Sequence, residues 1–129
     1  MRCQLASHVI LVVDDEGLVI EYIEHLLKGR GYELASFTDP VKALGFFSEN
    51  FNRIDLIISD VKMPELSGPE LAKEAIRLKP GISIILLSAY SETLPEVVSM
   101  ENVKGVLEKP LMKTDLLQVV EGVLAGGRR

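Results

Sequence analysis

The chain has a single cysteine, Cys3, so no disulfide can form within it, which is compatible with a reducing compartment. Its apolar runs are all too short to cross a bilayer. The N-terminal stretch has neither the long hydrophobic region nor the small-residue cleavage site of a secretory signal. These absences make a soluble cytoplasmic protein, with no membrane partner, the expectation. No Lys/Arg cluster offsets the net charge of −5, which argues against direct nucleic-acid binding. The one close arginine pair, Arg128-Arg129, reads as a frayed tail. Repeats, low-complexity stretches and linkers are missing too. The 129 residues, 47% of them hydrophobic, therefore read as one domain over 1–129 with a core of about 8–125.

Against that background, Ile54 to Ser59 stands out, with apolar residues on both faces at Leu56, Ile57 and Ile58. Such a run suits a strand covered by helices on each side of a parallel sheet. It ends on Asp60, and Met63-Pro64 with Ser67-Gly68 turns the chain into a helix over Pro69 to Leu78. The same alternation runs along the whole chain. Strands are expected at His8 to Val13, Tyr32 to Phe37, Ile82 to Leu87 and Val103 to Leu107. Helices are expected after Glu16 to about Lys28, after the Asp39-Pro40 start signal, and over Thr114 to Leu124. Pro95 confines the fourth helix to a short piece, about Pro95 to Met100. Strand then helix, five times over with short connections, implies an α/β fold. It is a doubly wound, five-stranded parallel sheet in a three-layer (βα)5 sandwich.

In such a fold the carboxyl ends of all strands lie along one edge, where open α/β sheets place their ligands. That edge gathers Asp14, Asp15 and Glu16 after the first strand, Asp60 after the third, Ser88 after the fourth and Lys109 after the fifth. Asp14 and Asp15 also read as a helix N-cap, but capping leaves Asp60 unexplained. Two like charges about 4 Å apart cost roughly 4 kcal/mol at an effective dielectric near 20, so the carboxylates require a cation or raised pKa values. An oxygen-only donor set with room for water suits Mg²⁺. No histidine or cysteine sits on the edge, which argues against zinc or copper. A hydroxyl and a lysine beside a metal-bound carboxylate are donors suited to a phosphoryl group.

Four segments carry a family resemblance: Val12-Val13-Asp14-Asp15-Glu16, Ser59-Asp60-Val61-Lys62-Met63-Pro64 with Ser67-Gly68, Leu87-Ser88-Ala89, and Glu108-Lys109-Pro110. In this order the sequence resembles the receiver (phosphoacceptor) domain of two-component response regulators, a flavodoxin-like, CheY-like fold. The resemblance covers essentially the whole chain. It implies that Asp60 takes a phosphoryl group from a phosphohistidine of a histidine kinase or histidine phosphotransfer protein, in a Mg²⁺-dependent step. It further implies that Asp15 and Asp60 bind the ion directly, that Asp14 holds it largely through water, and that the Lys62 main-chain carbonyl is another ligand. Ser88 would hydrogen-bond a phosphoryl oxygen, Lys109 would pair with the group, and the Lys109-Pro110 bond would be cis. The domain would catalyse only its own phosphorylation and dephosphorylation, and would not act as an enzyme on other substrates.

Two departures bear on output. Family members usually have an aromatic residue three positions before the lysine; here it is Val106, and Tyr90 is the candidate either to replace it in part or to gate access to the phosphoryl group. The shortened fourth helix leaves Val97, Val98, Met100 and Val103 on the family's usual output face, made with the fifth strand and last helix. An exposed apolar patch there would bind a downstream protein or a second copy in a weak homodimer. The chain also reads as a domain of a longer response regulator or a hybrid histidine kinase. Two rivals fit less well. A Mg²⁺-dependent aspartyl phosphatase usually has a second acid where Lys62 stands, and a flavin-binding module needs a phosphate loop where Asp14-Asp15-Glu16 would repel phosphate.

Overall fold

Strands that are apolar on both faces must be covered on both faces, and this requirement shapes the molecule. The computed structural model describes residues 8–89 and 100–126. In chain order the elements are β1 (Val9–Val13), α1 (Gly17–Lys28), β2 (Glu33–Phe37), α2 (Pro40–Asn50), a 3-10 turn (Phe51–Arg53) and β3 (Leu56–Asp60). Then follow α3 (Gly68–Leu78), β4 (Ser83–Ser88), β5 (Val103–Glu108) and α4 (Lys113–Gly126). All strand pairs are parallel, in the order β2-β1-β3-β4-β5. The expected doubly wound sheet is present. The short fourth helix and Tyr90 fall on residues 90–99, outside the described residues, and Met100 itself lies in a bend.

Alternation along each strand sorts the core into two halves. Leu11, Val13, Ile57, Ile84 and Leu86 face α2 and α3, where they meet Phe47, Leu71 and Ala75. Ile10, Val12, Leu56, Ile58, Ile85 and Leu87 face α1 and α4, where they meet Ile23, Leu27, Leu117 and Val120. Every residue of β3 is buried, as its unbroken apolar run requires. Sequence and structure differ mainly at strand ends. Asp60, Ser88 and Glu108 are the last residues of their strands, where the sequence suggests they follow them, because the ladder continues one residue further in each case. An irregularity between Ile84 and Ile85 skips Lys104 and restores the pairing that sets Ser88 opposite Glu108.

Helix starts follow local chemistry. Asp39 accepts from the Val41 and Lys42 amides at the head of α2, with Pro40 in the first turn. Ser67 and Glu70 form a reciprocal capping box at the head of α3. Gly68 is there for a different reason. A Cβ on it would lie 2.2 Å from the Asp60 carbonyl oxygen and 3.1 Å from Val61 Cα, both rigid backbone. The first turn of α3 therefore rests directly on the end of β3, and only glycine permits the approach. Replacing it with alanine must push helix and strand apart. Gly68→Ala is expected to lose about 1–3 kcal/mol in urea unfolding. Gly45→Ala, in α2 with nothing within 4 Å of its added Cβ, is expected to gain about 0.5–1 kcal/mol in the same measurement.

Candidate functional site

The parallel register fixes which side chains meet. Val13 pairs with Ser59, so Asp14 and Asp60 leave the ends of neighbouring strands side by side. The chain winds outward from β1 in both directions, to β2 and to β3, and the site opens at that switch point. Asp14 is fully buried and Asp60 is 6% exposed, while Asp15 is exposed. One carboxylate oxygen from each of the three can be chosen so that all lie within 4.8 Å of one another. Lys109, at the end of β5, reaches back across the ends of β4 and β3. Its Nζ lies 3.0 Å from Asp14 Oδ2, 3.1 Å from Glu16 Oε1 and 3.3 Å from Asp60 Oδ2.

The two oxygens of Asp14 differ. Oδ1 accepts from the Glu16 amide at 2.8 Å. Oδ2 is buried and has no aligned hydrogen-bond donor, although the Lys109 ammonium lies close by. The N-cap position of α1 is Glu16, without a side-chain cap, so neither aspartate caps the helix. The capping reading of Asp14 and Asp15 is thereby corrected: Asp14 holds the N-cap residue's own amide.

Burial raises the Asp60 pKa to about 6, the Asp14 charge adds to the rise, and Lys109 opposes both. Burial also raises Asp14, against the Glu16 amide and Lys109. Burial alone would lower Lys109, but the carboxylates of Asp14, Glu16 and Asp60 outweigh it and hold the ammonium above its ordinary range. The site thus carries more negative charge than one lysine balances. An oxygen-only cluster with one buried, donor-less oxygen is a donor set that fits a hard divalent cation such as Mg²⁺.

The remaining expected residues surround this centre. Ser88 is buried at the end of β4, and its carbonyl accepts from the Lys109 amide at 2.8 Å. The Lys109-Pro110 bond is cis. Lys62 lines the cleft above Asp60, a cavity of about 880 Å³ shared with Asp15, Glu16, Lys109 and the apolar side chains Leu18, Tyr22 and Leu111. Lys62 sits in a tight turn in which Glu65 adopts φ 72°. Val106 is half-buried and packs against the core layer that faces α2 and α3. Glu16 is the residue whose part sequence reasoning missed. It was placed on the edge, but its bond to Lys109 spans 93 positions. The only available signal was its charge opposite a lysine on the same edge.

Fold and centre together define a flavodoxin-like α/β domain with an aspartate-based, lysine-closed acidic site at its carboxyl edge. The family model for the response regulator receiver domain matches residues 10–121, and the chain belongs to that family, the receiver domains of two-component signalling. It is 31% identical over 92% of its length to the transcriptional regulatory protein GlrR of Escherichia coli (strain K12), of which the match covers 26%. It is 32% identical, again over 92% of its length, to the sensor kinase CckA of Brucella abortus (strain 2308), of which the match covers 13%. The chain thus spans about a quarter or less of these curated relatives. A solved response regulator receiver domain protein of Clostridium thermocellum superposes with a TM-score of 0.86 at 30% identity, covering 94% of this chain and 97% of that one. No helix among the described residues is long and apolar enough to cross a membrane.

The raised pKa of Asp60 has a definite consequence for stability. Between the unfolded value near 4 and the folded value of about 6, the folded state binds a proton that the unfolded state does not. Stability from this group therefore falls as pH rises through that window and stays low above it, by on the order of 2–3 kcal/mol. Asp14 is shifted in the same sense. In divalent-free buffer, Asp60→Asn is expected to be more stable than the parent at pH 7.5 and to converge with it toward pH 4. Thermal unfolding across that range checks the sign.

Proposed function

We propose that the chain is a phosphoacceptor modified on Asp60 in a Mg²⁺-dependent step, and that the modification changes its affinity for a partner. The observation that carries this reading is the setting of Asp60: almost fully buried, among carboxylate oxygens within 4.8 Å, and 3.3 Å from the Lys109 ammonium. A carboxylate held there faces the cleft and has a cationic neighbour for an incoming anionic group.

In the proposed step, an oxygen of ionised Asp60 attacks the phosphorus of a phosphohistidine. The O–P bond forms as the N–P bond breaks, and the leaving imidazole nitrogen keeps the electron pair and takes up a proton. Asp60 becomes an acyl phosphate, and attack by water on its phosphorus later breaks the Asp60 O–P bond, releasing inorganic phosphate and restoring the carboxylate. Lys109 pairs with the new phosphoryl oxygens, and Ser88, buried one strand away, donates its hydroxyl to one of them. Asp15, Asp60 and the Lys62 main-chain carbonyl, with Asp14 acting through water, would hold the Mg²⁺, which supplies neutralising charge to the phosphoryl oxygens.

The phosphodonor is a histidine kinase or a histidine phosphotransfer protein. Relatives that include a sensor kinase and a transcriptional regulatory protein support the view that the output lies in a separate protein or in another part of a longer chain. The output face proposed is the one made by the segment before β5, β5 and α4. Met100, in a bend before β5, and Met112, between β5 and α4, are exposed beside it. A weak homodimer would use the same face, and Tyr90, rather than Val106, is the proposed reporter of the modified state.

Incubation with Mg²⁺ and a small acyl phosphate, followed by intact-mass measurement, is expected to add one phosphoryl group. The label should be removed by hydroxylamine and be absent from Asp60→Asn and from samples with excess chelator. Failure of every small donor and every histidine-phosphorylated donor to label the chain would overturn the proposal.

A further inference from the structure

We propose that Glu16 is a positioning residue that takes over the Lys109 ammonium when a divalent cation claims Asp14 and Asp60, so that cation and ammonium occupy one acidic cluster together. This rests on the reading above, in which Mg²⁺ binds the aspartates. The geometry supplies each part. Lys109 Nζ has three carboxylate neighbours, at 3.0, 3.1 and 3.3 Å, and the 3.1 Å contact is a hydrogen bond to Glu16 Oε1. Asp14 and Asp60 belong to the cluster that would hold the ion, whereas Glu16 lies outside that cluster.

A cation arriving at the aspartates weakens the attraction of Asp14 and Asp60 for Lys109 and repels its charge. Without another acceptor, the ammonium must leave its half-buried place or compete with the ion. Glu16 removes that conflict. Its carboxylate is 62% exposed, so holding a charge there carries little desolvation cost. Its backbone is fixed to the site, because its amide donates to Asp14 Oδ1 at 2.8 Å. That bond also leaves Asp14 Oδ2, the oxygen without an aligned donor, as the one available to the ion or its water. One residue therefore orients Asp14 through its main chain and retains Lys109 through its side chain. Asp15, the fourth carboxylate nearby, is exposed and has no such contact to Nζ among the ion pairs of the described residues.

The test is a double-mutant cycle on Mg²⁺ affinity, read by calorimetry and by amide chemical shifts of the unphosphorylated protein, with no phosphodonor present. Glu16→Gln is expected to weaken Mg²⁺ binding about fivefold, the size of one partly exposed ion pair. Lys109→Met is expected to tighten it, and in that background Glu16→Gln should cost less than about twofold. Glu16→Asp keeps the charge but shortens the reach to Nζ by one methylene, so it should behave like Glu16→Gln. An equal cost of Glu16→Gln with and without Lys109, or a Glu16→Asp protein that binds like the parent, would show that only long-range charge is at work and overturn the inference. The Glu16→Asp arm decides the matter even if Lys109→Met does not fold. A parent protein that shows no saturable Mg²⁺ binding would instead remove the metal reading on which this one stands.

Discussion

A sheet buried on both faces has no room for charge except at its ends, and this constraint organises the protein. From Val9 to Val13 and from Leu56 to Ser59 the strand interiors offer only apolar or small side chains to the helices. An ionised group inside either layer would need a partner and hydrogen bonds that these surfaces do not supply. The carboxylates are therefore driven to the carboxyl edge, where the helix starts leave space. The same crowding then brings carboxylate oxygens of Asp14 and Asp60 within 4.8 Å of each other and sets both residues against Lys109. Stability and chemistry oppose each other at this point. The buried acids cost the fold stability, and the same burial makes the site receptive to positive charge and gives the proposed nucleophile its setting.

Much of this was legible in the sequence because it depends on pattern and order. The unbroken run at Leu56, Ile57 and Ile58 marks a central strand, and strand-helix alternation then fixes parallel pairing and a shared carboxyl edge. Once that edge exists, Asp14, Asp15, Asp60 and Lys109 must approach each other, although the first and last lie 95 positions apart. The start of α2 was equally readable, since Asp39-Pro40 carries its own capping chemistry.

What was not legible depends on distances that no periodicity encodes. Strand ends shifted by a residue because the ladder takes in Asp60 and Ser88, and hydrogen bonding, not hydropathy, decides where a ladder stops. The capping assignment of Asp14 failed because its carboxylate turns to the Glu16 amide two residues on, a local geometry that competes with capping. The grip of Lys79 on the Phe51 and Ile54 carbonyls, which ties the end of α3 to the entry of β3, leaves no trace in the pattern either. Glu16 is the most instructive case: its charge was visible, its partner was not.

These contacts also bear on how a change at Asp60 could travel. The Val61 amide donates to the Leu87 carbonyl, and the Gly68 amide donates to the Val61 carbonyl. The Lys109 amide donates to the Ser88 carbonyl. Backbone bonds thus join the end of β3 to α3 on one side and to the ends of β4 and β5 on the other. Gly68 allows no slack, since α3 already rests on the Asp60 carbonyl. A group added to the Asp60 side chain cannot be accommodated by moving α3, so under the proposed modification the response would fall on the other bonded neighbours, the ends of β4 and β5 with the Lys109 side chain. In the proposed modified state, the stiffness of the α3 side, and not only the missing aromatic at Val106, would favour readout through the ends of β4 and β5.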